Sequence, residues 1–256
     1  MILATWNVNS INRRLPQLLD WLQQIKPNVV CLQETKSIDE KFPRSEIEAL
    51  GYHIECYGEK SYNGVAILSD KPLSNLERGL SKEVPPGSKR MIAGSYGEIR
   101  IIDVYIPNGG DPGSEKYAYK LEWISALKQH LLAKHKADEQ LLICGDFNVA
   151  PEDIDVFDAK AVAGGILVSD NERAAIRNLQ EWGLEDVFRR LHKEAGFYSW
   201  WDYRMNAFRR NMGFRIDHIW ATPCLSAKAS SIYIDKEPRK LEQASDHAPV
   251  VVEFNA

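Results

Sequence analysis

Short apolar runs of strand length alternate along the chain with stretches whose apolar residues recur at helical spacing. The runs predict strands at residues 2–8, 29–33, 52–57, 64–69, 91–96, 98–106, 215–221, 230–234 and 249–254. Helical spacing predicts helices at 14–25, about 45–50 and 116–136, and a capping box at 169–172 opens another to about 182. Strands and helices are mixed, without an evident linker or repeat. The pattern therefore predicts a single α/β domain over residues 1–256.

A further strand begins at Leu141 and ends in Gly145-Asp146-Phe147-Asn148. Strand residues two positions apart project from the same side, so Asp146 and Asn148 would point together from the strand end. On this stretch alone, an Asx-rich turn explains the pattern about equally well.

Polar residues also follow the other predicted strands. Each one alone could be a cap, a turn or a strand-end ion pair. Their recurrence at so many strand ends favours convergence on one site. The residues are Asn7, Asn9, Glu34, Tyr105, Asn108 and Asp217, with Ser245-Asp246-His247 before the last strand.

Carboxylates and amides without a cluster of histidines or thiolates are hard oxygen ligands, which suit Mg²⁺ or Mn²⁺. The sequence contains no serine nucleophile elbow and no glycine-rich phosphate loop. Phosphodiester hydrolysis requires a cation held by carboxylates. It also requires amide donors and one histidine. Among six histidines, only His247 lies in such a motif, and we expect the others on helix surfaces or strands.

Composition limits the class of protein. Hydrophobic residues at 44% and charged residues at 27% are typical of a globular protein, and no apolar run is long enough to span a bilayer. Met1 runs directly into the first strand without a signal peptide, which predicts a cytosolic protein. The net charge of −4 argues against coating nucleic acid by bulk charge but allows a local basic patch. The cysteines lack zinc-site spacing, and Cys31 and Cys144 are expected as free buried thiols.

Five motifs, in order and at compatible spacing, resemble those of the exonuclease III-like apurinic/apyrimidinic endonucleases of the endonuclease/exonuclease/phosphatase superfamily. The resemblance implies a four-layered α/β sandwich, in which two packed mixed β-sheets are flanked by helices. It also implies a monomeric, metal-dependent nuclease that cuts double-stranded DNA 5′ to abasic sites and trims 3′ ends. The motifs are 32–36 (LQETK), 62–66 (YNGVA), 145–148 (GDFN), 215–217 (RID) and 245–249 (SDHAP).

The same resemblance implies roles for individual residues. Glu34 would be the principal Mg²⁺ or Mn²⁺ ligand, with Asn9 and Asp246 near the ion. Asn9 stands where some relatives carry an acid, which leaves one or two ions open. Asp146 would position or deprotonate the attacking water. The remaining catalytic residues would be Asn7 and Asn148 around the phosphate, Tyr105 by the phosphate or leaving group, and His247 on a phosphate oxygen, oriented by Asp217.

The segment 198–215 interleaves aromatic residues with four arginines, which suits phosphate contact and insertion into base stacking. Composition alone slightly favours an apolar surface loop with solvated arginines. The resemblance favours DNA, with an abasic-sugar pocket of Trp200, Phe214 and Ile216. The other expected DNA contacts are Arg204, Met205, Asn206 and Asn108, and the segment also carries Arg209, Arg210 and Arg215.

Other functions remain open at this stage. A relative acting on an inositol phosphate or a lipid would share the Glu34 and His247 motifs, but it would not need the basic-aromatic segment. A secreted deoxyribonuclease-like enzyme would use a second catalytic histidine where Tyr105 stands. A catalytically inactive DNA-binding protein would not need the full set of acids and amides.

Overall fold

The computed structural model describes residues 1–82, 84 and 87–255, which form twelve strands and seven helices. The strands are β1 (Ile2–Asn7), β2 (Val29–Gln33), β3 (His53–Tyr57), β4 (Val65–Ser69), β5 (Ser74–Arg78), β6 (Met91–Tyr96), β7 (Ile99–Tyr105), β8 (Leu141–Asp146), β9 (Glu185–Asp186), β10 (Asp217–Ala221), β11 (Ala229–Ile234) and β12 (Val250–Phe254). The helices are α1 (Ile11–Ile25), α2 (Arg44–Glu48), α3 (Glu115–Lys134), α4 (Ala159–Val162), α5 (Asp170–Gln180), α6 (Val187–Leu191) and α7 (Pro223–Ser226).

The strands form two six-stranded sheets, ordered β11-β12-β1-β2-β4-β3 and β5-β6-β7-β8-β10-β9. Each sheet is mixed, because β1 pairs parallel with β2 and β7 pairs parallel with β8, while the neighbouring pairs are antiparallel. The inner faces pack together through fully buried apolar residues such as Leu3, Cys31, Ile101 and Leu142. Burial of this continuous apolar surface is the main stabilising contribution to the fold.

Helices cover the outer faces. Trp21 and Leu18 of α1 pack against Trp6 on the first sheet. On the second sheet, α3 and α5 cover β7 and β8. The layers are therefore helix, sheet, sheet and helix, which confirms the predicted four-layered α/β sandwich. Among the described residues, no helix combines the length and apolar character needed to cross a membrane.

Most predicted elements are present within a few residues, and the capping box of Ser169 and Glu172 opens α5 as expected. The strand β5 and the short elements α4, β9, α6 and α7 were not predicted. β5 carries mostly exposed residues, so it lacks the alternation that indicates a half-buried strand. Helix α1 begins at Ile11, three residues before the predicted start at Arg14, because Ile11 is already buried in the core.

Candidate active site

The predicted site residues meet at one end of the two sheets. The parallel strands β7 and β8 finish side by side, so that Tyr105 pairs with Asp146. The antiparallel strand β10 begins there, with Asp217 opposite Asp146. Asn7 ends β1 in the facing sheet and reaches across to hydrogen bond with Asp146. Convergence of the strand ends, which the sequence only suggested, is thus a consequence of sheet order.

Several of these strands end in left-handed backbone turns. Glu34 and Asn148 both have φ of 50°, and Asn9 has φ of 43°. Asparagine tolerates this region, but glutamate reaches it at a cost of about 1 kcal/mol. Gly145 has φ of 139°, and a Cβ there would lie 1.9 Å from the carbonyl oxygen of Val104. Close approach of β8 to β7 therefore requires glycine immediately before Asp146.

The side chain of Asn7 links the two principal acids. Its Nδ2 donates to Glu34 Oε1 and to Asp146 Oδ2, each at 2.9 Å. The main-chain N–H of Asn148 donates to the other oxygen, Asp146 Oδ1, at 2.9 Å. One carboxylate oxygen of Asp146 is therefore held from the end of β1 and the other from the turn that follows β8. This arrangement fixes the orientation of a fully buried carboxylate.

His247 lies between two aspartates. Its Nδ1 is 2.9 Å from Asp217 Oδ2, and its Nε2 is 3.8 Å from Asp146 Oδ2. Burial lowers the pKa of His247, but the charges of Asp217 and Asp146 outweigh burial and raise that pKa to about 10. Burial also raises the pKa of Asp146 to about 7, with His247 opposing the shift. At neutral pH, His247 is an imidazolium that can donate to an anion, and Asp146 can accept a proton.

A cation position lies beside Glu34. The ammonium nitrogen of Lys36 is 2.7 Å from Glu34 Oε2 and 2.6 Å from Asn9 Oδ1. Burial raises the pKa of Glu34, but the nearby Lys36 and Asn7 lower it below its usual range overall, so Glu34 is ionised. The two oxygens thus already face a positive charge, and their hard donor chemistry fits Mg²⁺ or Mn²⁺. Protonated His247 is not a metal ligand, although one of its nitrogens lies within 4.8 Å of Glu34 and Asp146 ligand atoms.

Asp246 connects Asn9, which lies at the cation position, with Trp200. Its Oδ1 accepts a hydrogen bond from Asn9 Nδ2 at 3.0 Å, and its Oδ2 accepts from Trp200 Nε1 at 2.9 Å. Burial raises the pKa of Asp246, but His247 and these hydrogen bonds lower it overall, which keeps the carboxylate charged. Its direct neighbours are therefore Asn9 and Trp200, and it reaches the Glu34 position through Asn9.

Tyr105 is a neutral hydrogen-bond donor. Burial, together with the charges of Glu34 and Asp146, raises the pKa of Tyr105 well above its usual value. The guanidinium of Arg90 stacks on the ring, with its central carbon 4.6 Å from the ring centroid. The phenol is therefore held in place, with its proton retained.

The predicted pocket residues form an apolar wall beside the acids. The rings of Trp200 and Phe214 meet edge to face, with centroids 5.6 Å apart. Phe214 and Trp200 also exchange main-chain hydrogen bonds, each of 2.9 Å. Ile216 is buried in the same apolar cluster, which includes Val156 and Leu167 from the long loop after β8.

The predicted DNA-contacting turn projects into solvent. Arg204 has a side chain 85% exposed and pairs with Asp202 at 2.7 Å. Met205 is 72% exposed, and both Met205 and Asn206 have φ of 57°. Arg215 is different: its guanidinium is buried and binds Asp155 and Asp186. The expectation that Arg215 faces DNA with the other arginines is therefore wrong.

Lys120 is a site-organising residue that the sequence analysis missed. Its buried ammonium donates to the carbonyl oxygens of Asn108 at 3.0 Å and Asn148 at 2.6 Å, and to Glu172. Asn108 Nδ2 donates in turn to Asn148 Oδ1 at 3.1 Å. The sequence carried one signal for Lys120: a charged residue stands at helical spacing with the apolar residues of α3. Leu121, the next residue, is only half-buried, whereas Lys120 is fully buried.

Residues 4–247 match the model of the Endonuclease/Exonuclease/phosphatase family, which accounts for nearly the whole chain. The chain belongs to this family. Exodeoxyribonuclease III of Haemophilus influenzae is 34% identical over 266 aligned residues, which cover 99% of this chain and 100% of the relative. The relationship thus extends over nearly the whole length of both chains.

Solved structures of the family superimpose closely on this chain. An AP endonuclease from Archaeoglobus fulgidus has a TM-score of 0.96 at 37% identity, with 100% of both chains covered. A 3′ phosphatase from Neisseria, solved bound to a product DNA hairpin, has a TM-score of 0.95 at 39% identity, again with 100% of both chains covered. Members of the family with this fold therefore differ in the DNA phosphate ester that they hydrolyse.

Proposed function

We propose that this chain is a divalent-metal-dependent DNA repair nuclease. It hydrolyses the phosphodiester 5′ to abasic sites in double-stranded DNA and also removes groups from 3′ ends. One observation carries the proposal: Asp146, which can act as a base near neutral pH, has a carboxylate oxygen within 4.8 Å of both His247 and Glu34, beside the apolar wall of Trp200 and Phe214. The activities of the relatives agree with this reaction class.

Each residue has a physical role in the reaction. Asp146 accepts a proton from the attacking water, while Asn7 and Asn148 hold its two oxygens. His247 donates from Nε2 to a phosphate oxygen, because Asp217 binds its Nδ1. Tyr105 donates its phenolic proton toward the phosphate or the leaving oxygen. A divalent ion held by Glu34, with Asn9 and Asp246 near it, would neutralise the charge that develops on the phosphate.

The exposed turn supports DNA as the substrate. Arg204, Arg209 and Arg210 are exposed on the segment that also carries Trp200. Positive side chains beside an exposed apolar residue such as Met205 suit a duplex with a gap in its stack. An extruded sugar without a base would then pack on Trp200, Phe214 and Ile216. A relative acting on a soluble phosphate ester gains nothing from this surface.

The same features support a proposal on the oligomeric state and the compartment. All site residues come from one chain, so we propose that the enzyme acts as a monomer and that residues 1–256 fold as one domain. The four cysteines are unpaired. Free thiols are typical of a reducing compartment, which supports action in the cytoplasm.

The test is a duplex oligonucleotide with one abasic analogue, incubated with Mg²⁺ or with a chelator. The wild type should cut 5′ to the analogue only with the metal. Asp146→Asn should bind the duplex nearly as tightly and fail to cut, whereas Asp138→Asn, an exposed acid before the same strand, should cut normally. Hydrolysis of an inositol phosphate without cleavage of the duplex would refute the proposal.

A further inference from the structure

A second cluster of metal-ligating side chains lies far from the candidate active site. It comprises Glu77 on β5, His130 on α3 and His135, which follows that helix. One ligand atom of each lies within 4.8 Å of the other two. Glu77 contacts Arg100, near the start of β7, whereas Tyr105 ends that strand in the active site. Five residues of extended strand separate the two sites by roughly 17 Å.

Two imidazole nitrogens in this cluster lack partners. The side chain of His130 is 0% exposed and that of His135 is 9% exposed. The Nε2 atom of each is buried and has no hydrogen-bond partner among the described residues. Buried polar atoms are nearly always satisfied, so two such atoms in one place point to a ligand. The expectation that His130 lies on a helix surface is wrong.

The separation of Glu77 and His130 is close to that of two donors on a shared ion. Glu77 Oε2 lies 3.9 Å from His130 Nε2. Two donors on one tetrahedral zinc ion are about 3.4 Å apart, given bond lengths near 2.0–2.1 Å. Small side-chain rotations would therefore close the cluster around an ion.

The outer nitrogens of both rings are also arranged for metal binding. His135 Nδ1 lies 3.2 Å from Glu139 Oε2, so it can donate to that carboxylate and leave Nε2 free. His130 Nδ1 lies 2.8 Å from Ser81 Oγ and accepts from the Ser81 main-chain N–H at 3.0 Å. In the metal-bound form, Nδ1–H would donate to Ser81 Oγ. The main-chain N–H of Ser81, an exposed residue, would lose His130 Nδ1 as its acceptor and would then bind water.

Two cationic side chains lie beside the carboxylate of the cluster. Arg100 at 3.1 Å and Lys134 at 3.6 Å compete with an ion for the carboxylate of Glu77. The two imidazoles must therefore supply most of the affinity, which disfavours Mg²⁺.

We propose that Glu77, His130 and His135 form a binding site for a divalent transition-metal ion of the zinc class, separate from the active site. Two nitrogen donors and one oxygen donor leave a fourth position for water or another ligand. That position would open toward a surface cavity of about 710 Å³, which Glu77 and His135 help to line. Bound metal would fasten the edge strand β5 to the end of α3.

The test measures Zn²⁺ binding by equilibrium dialysis with the intact protein in excess Mg²⁺. Glu34→Gln removes the principal acid of the active-site cluster, so the remaining zinc reports the second site. His135→Gln and Glu77→Gln should each weaken this remaining binding at least tenfold in that background. His53→Gln, which changes an exposed histidine on β3, is the matched control and should bind zinc normally. In addition, zinc should shift the ring ¹⁵N resonances of His130 and His135.

Two outcomes would overturn the proposal. The first is equal zinc binding by His135→Gln, Glu77→Gln and the His53→Gln control, with unchanged ring resonances. The second is a loss of zinc binding in His135→Gln that is accompanied by loss of Mg²⁺-dependent DNA cleavage when His135→Gln is made in the protein that keeps Glu34, since that zinc would belong to the active site. Unchanged cleavage with lost zinc binding supports two separate sites.

Discussion

Replacing Lys120 by methionine removes a buried ammonium group and keeps a side chain of similar length. The native ammonium binds the carbonyl oxygens of Asn108 and Asn148 and the carboxylate of Glu172. Both side chains of the ion pair are 0% exposed. Lys120→Met therefore leaves a buried carboxylate without its counter-charge and two loop carbonyls without a donor.

The expected loss of stability follows from these contacts. Removing one partner of a buried ion pair costs about 3–5 kcal/mol. Glu172 keeps hydrogen bonds from the main-chain N–H groups of Leu167 at 3.1 Å and Ser169 at 3.0 Å, which places the loss at the lower end. A loss of about 3 kcal/mol corresponds to a fall in Tm of roughly 6–12 °C for a chain of this size. Because the same ammonium holds the loops of Asn108 and Asn148, kcat should fall roughly tenfold to hundredfold.

The assay is urea unfolding combined with cleavage kinetics. Lys116→Met, an exposed change on the same helix, is the control and should stay within about 0.5 kcal/mol of the wild type. Adding Glu172→Gln to Lys120→Met should recover part of the stability, because the unpaired charge is removed, but should not recover kcat. If Lys120→Met unfolds like Lys116→Met, the reasoning about the buried pair is refuted.

Three further predictions concern the active site itself. Because the charge of Asp217 supports the imidazolium of His247, whose pKa is about 10, Asp217→Asn should move the alkaline fall in kcat/KM to lower pH, and an unchanged profile would contradict this. The same ion pair stabilises the folded protein fully below the unfolded histidine pKa of about 6.5, and this stabilisation is lost as pH rises through about 10. Arg204→Ala should lower the log–log salt slope of duplex binding by about 0.9 if it removes one phosphate contact, whereas Arg177→Ala on α5 should leave the slope unchanged. Phe214→Ala keeps the main-chain pairing with Trp200 but removes apolar wall, so abasic cleavage and the preference for abasic over intact nucleotides should both fall in a competition assay. Retained preference would mean that Phe214 is only packing.

Periodicity predicted most elements because buried strands and amphipathic helices have distinct repeats. It could not predict the order of strands in the sheets, since Asn7 and Asp146 are 139 residues apart and meet only through packing of the two sheets. Polar residues at the strand ends indicated the candidate site because several strands end at the same side of the two sheets. Lys120 and His130 were missed for a related reason. Both lie on the buried side of a helix, where a polar residue is interpretable only once its partners are known.

The charges around the site support the proposal that Asp146, rather than Glu34 or Asp217, serves as the base. Glu34 pairs with Lys36 at 2.7 Å, and Asp217 pairs with His247 at 2.9 Å. Asp146 has only the more distant Nε2 of His247, at 3.8 Å, as a positive neighbour, and its two hydrogen-bond donors, Asn7 and the main-chain N–H of Asn148, are neutral. Nearby positive charge therefore offsets the burial of Asp146 less than that of Glu34 and Asp217. As a result, the pKa of Asp146 rises to about 7. A carboxylate with that pKa is basic enough to take a proton from water, and about half of it is ionised at pH 7.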